Sequence, residues 1–331
     1  MTAGRAPAGT QEPAEWQRAA CAFVSAVESG RLDLPLPGSG ATWRRWAALA
    51  DLAEEDLSLA RLGEGHADAA AILAELGGPP LRPGSRWGVW AANPPGPNVT
   101  ASRQDGGWVL RGTKQYCSGA RACTHALVTA RAGDEERLFA VAADGLDLHA
   151  GSWPATGMAG SDTLDVGFPA VPAEPVGPPG AYTGRPGFSH GGAGVAACWY
   201  GGARGVARTL ARAAAKRDVG PHALAHLGAV DIALRTTRAA LVRAADEIDA
   251  DPGDLRGEGA LRALRVRALA EATASDVLAR TGRALGAGPL SHNEAHSRAV
   301  ADLTVYLRQH HAERDLARLG ELVAEHGTAS W

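Results

Sequence analysis

The chain has 331 residues, 45% of them hydrophobic and 21% charged, with a formal net charge of -3. That is the composition of an ordinary soluble globular protein, long enough for roughly two or three domains around a sizeable core. The charge gives no general pull toward nucleic acid or an anionic membrane, and no apolar run approaches the roughly eighteen residues of a membrane span.

Residues 1–13 lack a charged-then-apolar leader and read as a disordered tail rather than a signal peptide. The four cysteines, Cys21, Cys117, Cys123 and Cys198, lack the paired spacing of a disulfide framework or a zinc site, so a reducing, cytoplasmic setting is expected. Residues 14–80 form an N-terminal helical region. Trp16, Ala20, Phe23 and Val27 recur at helical spacing and Gly30 stops that helix. Residues 35–40 are a turn-rich linker, residues 43–53 and 57–76 read as further helices, and Gly77-Gly78-Pro79-Pro80 closes the region.

Residues 81–175 change to a β pattern. Gly106-Gly107 is a turn, and residues 108–112 are the outgoing strand of a hairpin. Residues 126–130 and 138–142 are strands joined by the charged turn Gly133-Asp134-Glu135-Glu136. Short strands at this spacing predict a small antiparallel barrel or sandwich. Residues 171–187 are too rich in Pro and Gly for helix.

Residues 187–327 then read as an antiparallel four-helix bundle, with helices over 193–216, 222–249, 259–284 and 297–325. Val230, Leu234, Thr237, Leu241, Ala244 and Ile248 form the apolar stripe of the second, and Asp251-Pro252-Gly253 breaks the pattern after it. The fold class is α+β, in the order helices, β, helical bundle.

The densest phrases lie in the β region. Gly112-Thr113-Lys114-Gln115-Tyr116-Cys117-Ser118-Gly119-Ala120 fits the pattern G-x-K-x-(aromatic)-x-(Ser/Thr)-(Asn/Gly)-(Gly/Ala). About forty residues later, Gly157-Met158-Ala159-Gly160-Ser161-Asp162-Thr163, followed by Val166 and Phe168, fits G-M-x-G-S-D-T-x-x-V-x-F. In this pairing and order the chain resembles the flavin-dependent acyl-CoA dehydrogenases, from about residue 49 to residue 322, with a shortened N-terminal helical domain. The resemblance implies their three-part architecture, bound FAD, and assembly as a homodimer or homotetramer. It implies α,β-desaturation of an acyl-CoA or carrier-bound acyl thioester, with an electron-transfer flavoprotein or oxygen taking the electrons.

The resemblance also distributes roles. Tyr116 covers one face of the flavin ring, with Cys117 beside it and the Ser118 hydroxyl near the reactive nitrogen, where such groups tune hydride acceptance. The stretch Trp87 to Asn98 stands where the family has (Thr/Ser)-Glu-Pro-x-Ala-Gly-Ser-Asp; the backbone around Trp90 and Ala92 is expected against the flavin pyrimidine, while the side-chain contacts are lost. Arg204, Arg208, Arg212 and Lys216 form a cationic ridge at i, i+4 spacing. Beside it, Arg217 stands near the family's R-x-x-F-G arginine, which reaches a neighbouring subunit's pyrophosphate, as a guanidinium does well. Gly286-Ala287-Gly288 resembles the Gly-rich turn at the cofactor diphosphate, and its glycines Gly286 and Gly288 allow close backbone approach.

Desaturation needs a carboxylate at the α-carbon. Alignment on Asp302 and Tyr306 puts Asn293 at the family's Glu position, so Glu294, one residue on, is the first choice for the base. On one long helix, Leu303, Leu307, His310 and Arg314 would share a stripe, and His310 with Glu313 offers a proton donor or acceptor near neutral pH. His310 and His311 project about 100° apart on that helix and are not a metal site. The missing Glu at 293 and the added histidines also suit a flavin-dependent monooxygenase on the same scaffold, which needs a proton donor rather than an α-proton base. A third reading is a non-catalytic descendant that holds a partner.

Overall fold

The computed structural model describes residues 14–96 and 98–326; the tail expected over residues 1–13 lies outside them. Three helices come first, α1 (Glu15–Glu28), α2 (Thr42–Glu55) and α3 (Leu57–Leu76). Apolar residues at helical spacing set their buried faces: Ala19, Phe23 and Ala26 on α1, and Trp46, Leu49, Ala50 and Ala53 on α2. Asp56 caps α3 by accepting a hydrogen bond from Leu59 N at 2.9 Å, and Gly77 ends it at φ 68°.

The β region holds β1 (Trp87–Trp90), β2 (Thr100–Gln104), β3 (Gly107–Cys117), β4 (His125–Ala132), β5 (Glu135–Ala142), β6 (Asp147–His149) and β7 (Leu164–Val176). β2, β3, β7, β5 and β4 pair in a ring that closes into a small barrel, with β1 attached to β4 and β6 to β7. The barrel is not wholly antiparallel, because β4 pairs with β1 and β2 in parallel. The β2–β3 turn is Asp105-Gly106, one position earlier than expected; both residues have positive φ, 50° and 83°, which suits the right-handed twist of a two-residue hairpin.

Strands β4 and β5 bury both faces, which explains their unbroken apolar runs. Ala126, Val128, Ala130, Phe139 and Val141 join the main core, while Leu127, Leu138 and Ala140 pack with Ile72 and Leu73 of α3. Each fully buried side chain of this size contributes about 1.5–3 kcal/mol, and together they lock the barrel onto α3.

The stretch over 171–187 departs from expectation. β7 runs on to Val176, and a short α4 (Ala181–Gly184) precedes Pro186, the first residue of α5 (Pro186–Lys216). Next come α6 (Gly220–Ala250), α7 (Gly259–Leu285), α8 (Gly288–His292), α9 (Glu294–Tyr306) and α10 (Glu313–His326). α5 packs against α7, α2, α6 and α9. Where it crosses α2, a Cβ on Gly201 would stand 2.1 Å from Ala50 O, so only glycine lets the helices come this close. The single helix expected over 297–325 is broken. α9 ends at Tyr306, a short 3-10 turn covers Leu307–Gln309, and α10 starts at Glu313. Leu303, Leu307, His310 and Arg314 therefore share no stripe.

Candidate functional site

A cavity of about 1140 Å³ opens between the barrel mouth, α3, the start of α5, α7 and the break between α9 and α10. It slightly exceeds the roughly 300–1,000 Å³ of most ligand pockets.

The barrel wall is the place where the two sequence phrases meet. A bulge between Lys114 and Cys117 puts Tyr116 at φ 61°, a strained setting for a non-glycine residue, and turns its ring into the cavity at 51% exposure, edge-on to Trp153 with centroids 6.5 Å apart. Ser118 Oγ lies 2.9 Å from Thr163 Oγ1, which is 2.8 Å from Ser161 Oγ; Ser161 Oγ donates to Met158 O at 2.7 Å. Gly119 N donates to Ser161 O at 2.8 Å and Ala120 N to Asp162 O at 3.2 Å, so backbone as well as hydroxyls joins the phrases. Asp162 also pairs with Arg121, and Trp90 Nε1 donates to Ser118 O at 2.9 Å from behind.

Lys114 is buried and organises the adjoining rim. Its Nζ donates to Thr129 O at 2.9 Å, Thr129 Oγ1 at 2.8 Å, Asn93 Oδ1 at 2.7 Å and Asn98 Oδ1 at 3.2 Å, which ties the 91–98 loop to the barrel. Burial pushes its pKa down to about 8.

On the α3 wall, Arg61 pairs with Glu64, and Asp68 is held by Arg45 at 2.7 Å. Burial raises the Glu64 carboxyl to about 7 against the pull of Arg61. Tyr306 lines the cavity at 2% exposure with its hydroxyl beside the Cys198 thiol, and burial pushes its pKa well up.

The opposite corner holds Arg267, Arg308, His311 and Arg314. His311 Nδ1 is 3.4 Å from Asp315 Oδ1, and its backbone N donates to Asp315 Oδ2 at 3.0 Å. His310 faces away. It is 4% exposed, stands edge-on to Trp199 with centroids 6.3 Å apart, and its Nδ1 accepts from Ala312 N at 3.2 Å; burial lowers its pKa.

The structure thus gathers Ala92, Tyr116 and Ser118 on one cavity wall and leaves other expected residues off it. Trp90 is buried behind that wall, and the Cys117 thiol points to the Lys114 carbonyl at 3.3 Å. Glu294 is 84% exposed, within 3.6 Å of Arg298 and 4.0 Å of Arg18, and does not line the cavity. Asn293 is instead the N-cap of α9, its side chain accepting from His296 N at 3.1 Å, which gives its residue type a structural reason. Glu313 opens α10 outside the lining, because the helix break turns His311 and Arg314 inward instead. Arg217 ends α5 and Gly286 and Gly288 flank the start of α8, all outside the cavity of the same chain. Two members of the ridge, Arg204 and Arg208, pair with Glu54, a packing role.

Sequence reading missed Arg61, Glu64, Trp153 and Arg267 as lining residues, while of the two histidines it favoured it is His311 that lines the cavity. The signal for the first two was a charged i, i+3 pair within the buried stretch of α3. For Arg267 there was none, since α7 carries arginine on several faces. Among the described residues, no cluster of His, Cys, Asp and Glu could hold a metal, and no helix is long and apolar enough to cross a membrane.

No family model and no curated protein matches the sequence. Solved structures do. Dibenzothiophene monooxygenase TdsC from Paenibacillus sp. A11-2 superposes with a TM-score of 0.75 at 20% identity, covering 95% of this chain and 97% of that one. Methanesulfinate monooxygenase MsuC from Pseudomonas fluorescens gives 0.74 at 18% identity, covering 95% and 96%. KijD3, in complex with FMN and dTDP-3-amino-2,3,6-trideoxy-4-keto-3-methyl-D-glucose, gives 0.74 at 20% identity, covering 94% and 91%. The chain therefore has the acyl-CoA dehydrogenase-type fold of these flavoenzymes.

Proposed function

We propose that the chain is a flavin-dependent monooxygenase. It would consume reduced flavin and dioxygen, place one oxygen atom on a small organic substrate and release the other as water. One observation carries this choice over desaturation: every carboxylate lining the cavity is engaged. Glu64 pairs with Arg61, Asp68 with Arg45, and Glu136 accepts from Asn93, while Glu294 lies outside. Each is already held by a guanidinium or an amide, whereas the cavity does hold an imidazole backed by a carboxylate, His311 with Asp315, which can donate or accept a proton. The names of the structural neighbours, mostly monooxygenases, support the same reading.

The residues fit a flavin. The half-exposed ring of Tyr116 offers a stacking face, the hydroxyl network through Ser118 and Thr163 offers polar contacts at the ring edge, and the volume leaves room for a substrate beside it. When bound, the flavin supplies the electrons that activate oxygen; the chain orients it, excludes water and manages protons through His311. The cofactor is read as FMN rather than FAD. FMN is present in neighbouring structures. Oxygen stays as the electron acceptor, and the acyl thioester and the electron-transfer flavoprotein drop out of the proposal. Assembly into a homo-oligomer stays in it, supported by Ile232 and Leu224, exposed at 68% and 52% on α6.

The test supplies the purified protein with chemically reduced FMN and labelled dioxygen in the presence of aromatic, sulfur-containing and amino-sugar compounds. Label in one product supports the reading. Desaturation of an acyl thioester with an artificial electron acceptor, and no labelled product, would replace it.

A further inference from the structure

We propose that the corner between α7 and the α9–α10 break is an oxyanion subsite, so that the substrate joins a carboxylate or phosphate head to an apolar body. The proposal rests on the flavin reading only for what occupies the rest of the cavity.

Three guanidinium groups, those of Arg267, Arg308 and Arg314, line this corner beside His311. Arg267 is fixed in place: Nη1 donates to Gly192 O at 3.1 Å, Nη2 donates to Gln309 O at 2.9 Å, and the group lies 4.8 Å from the centroid of Trp199. Its partners are carbonyls and a ring face, and among the described residues no carboxylate stands within 4.0 Å of it. Arg314 forms no ion pair or side-chain hydrogen bond among the described residues. Arg308 is 2.9 Å from Glu271.

Counter-charge is present only behind the wall. Glu271 and Asp315 do not line the cavity, and Asp315 is occupied by His311. The cavity's own carboxylates are engaged elsewhere, by Arg61, Arg45 and Asn93. A partly desolvated guanidinium without a counter-ion is costly. An oxyanion presented to it recovers that cost through short, charge-assisted and often bidentate bonds. Beside the cations, Ala260, Ala263 and Leu264 of α7 supply an apolar surface, which sets the amphiphilic character of the molecule that fits.

The flavin's own phosphate has the same chemistry, and the experiment separates the two sources. The FMN-loaded protein is titrated calorimetrically with inorganic phosphate and with benzoate, against chloride at matched ionic strength. Saturable binding of the oxyanions is expected. It should weaken on the order of tenfold in Arg267→Lys, which loses the fork, and several-fold in Arg314→Ala. Arg314 is exposed and without side-chain partners, so that variant tests the proposal even if Arg267→Lys fails to fold. A wild-type response no different from chloride overturns the proposal. So does phosphate that displaces FMN but not riboflavin, since that assigns the cations to the cofactor. The apoprotein is titrated alongside: wild type that binds oxyanions but no flavin ends the flavin reading and upholds the subsite.

Discussion

The Ser118 hydroxyl lies 2.9 Å from the hydroxyl of Thr163, forty-five positions away in the chain, and this contact closes the barrel wall of the cavity. Ser118 follows the strained turn at Tyr116, while Thr163 sits where Asp162, at φ 46°, bends the chain into β7. Each hydroxyl holds the other in one rotamer, with Ser161 completing the set at 2.8 Å from Thr163. Ser118→Ala is therefore expected to cost about 0.5–1.5 kcal/mol of stability for the lost hydrogen bond and to weaken FMN binding roughly tenfold. Thr163→Ser should keep most of both. Flavin titration and thermal unfolding read the two effects separately; wild-type FMN affinity in Ser118→Ala would remove this residue from the site.

The two adjacent histidines should behave differently. His311 lines the cavity and is paired with Asp315, so His311→Ala is expected to slow product formation about 10²–10⁴-fold, the usual worth of a positioned acid or base, with FMN affinity retained. His310 is 4% exposed against Trp199, so His310→Ala should act mainly by lowering the melting temperature through the cavity it leaves. Steady-state kinetics with the substrate found by oxygen labelling decides between them.

Much of this was legible in the chain. The helices of the N-terminal region, the hairpin strands and the long helices follow from periodicity, which is a local property. The meeting of residues 118 and 163 was not legible, because nothing local says that two loops forty-five residues apart will share hydroxyls. The break at 307–312 was not legible. Leu307 and His310 keep helical spacing, and the signals against helix are one tertiary and one side-chain contact: Arg267 takes Gln309 O at 2.9 Å and His310 Nδ1 takes the Ala312 N–H at 3.2 Å, partners a helix would have used internally. Asn293 looked like a lost catalytic residue because an N-cap and a catalytic position can share one place in sequence.

Lys114 makes stability depend on alkaline pH. Its folded pKa of about 8 lies below the ordinary lysine value of 10.5. Between these values the unfolded chain binds a proton that the folded chain does not, so this group makes stability rise with pH through that window. Lys114→Met should abolish that rise. At neutral pH it should still destabilise, by about 1–3 kcal/mol, because Asn93, Asn98 and the Thr129 carbonyl lose their shared donor. Chemical denaturation at pH values across the window checks both points.

Asp302 has the opposite sign. It is 2% exposed and accepts from Met158 N, and burial raises its pKa from 3.8 to about 7. Between those values the folded state binds the extra proton, so this group lowers stability as pH rises from about 4 toward 7. Asp302→Asn retains an acceptor for Met158 N and removes the buried charge. Its stability should match wild type at the acid end of the window and exceed it above pH 7, a divergence that denaturation curves would show directly.

Glu294 separates the desaturase from the oxygenase. A desaturase that drew its base from this loop would lose nearly all activity in Glu294→Gln, because an amide cannot take the α-proton. In this structure Glu294 is 84% exposed, and its ion pair with Arg298 is an i, i+4 surface contact at 3.6 Å, worth little in water. Glu294→Gln is therefore expected to oxygenate substrate at the wild-type rate, with its melting temperature almost unchanged. Turnover measured under single-substrate, saturating reduced flavin is the check. A hundredfold loss there, in a protein that still melts normally, would bring the α9 loop back to the reacting centre.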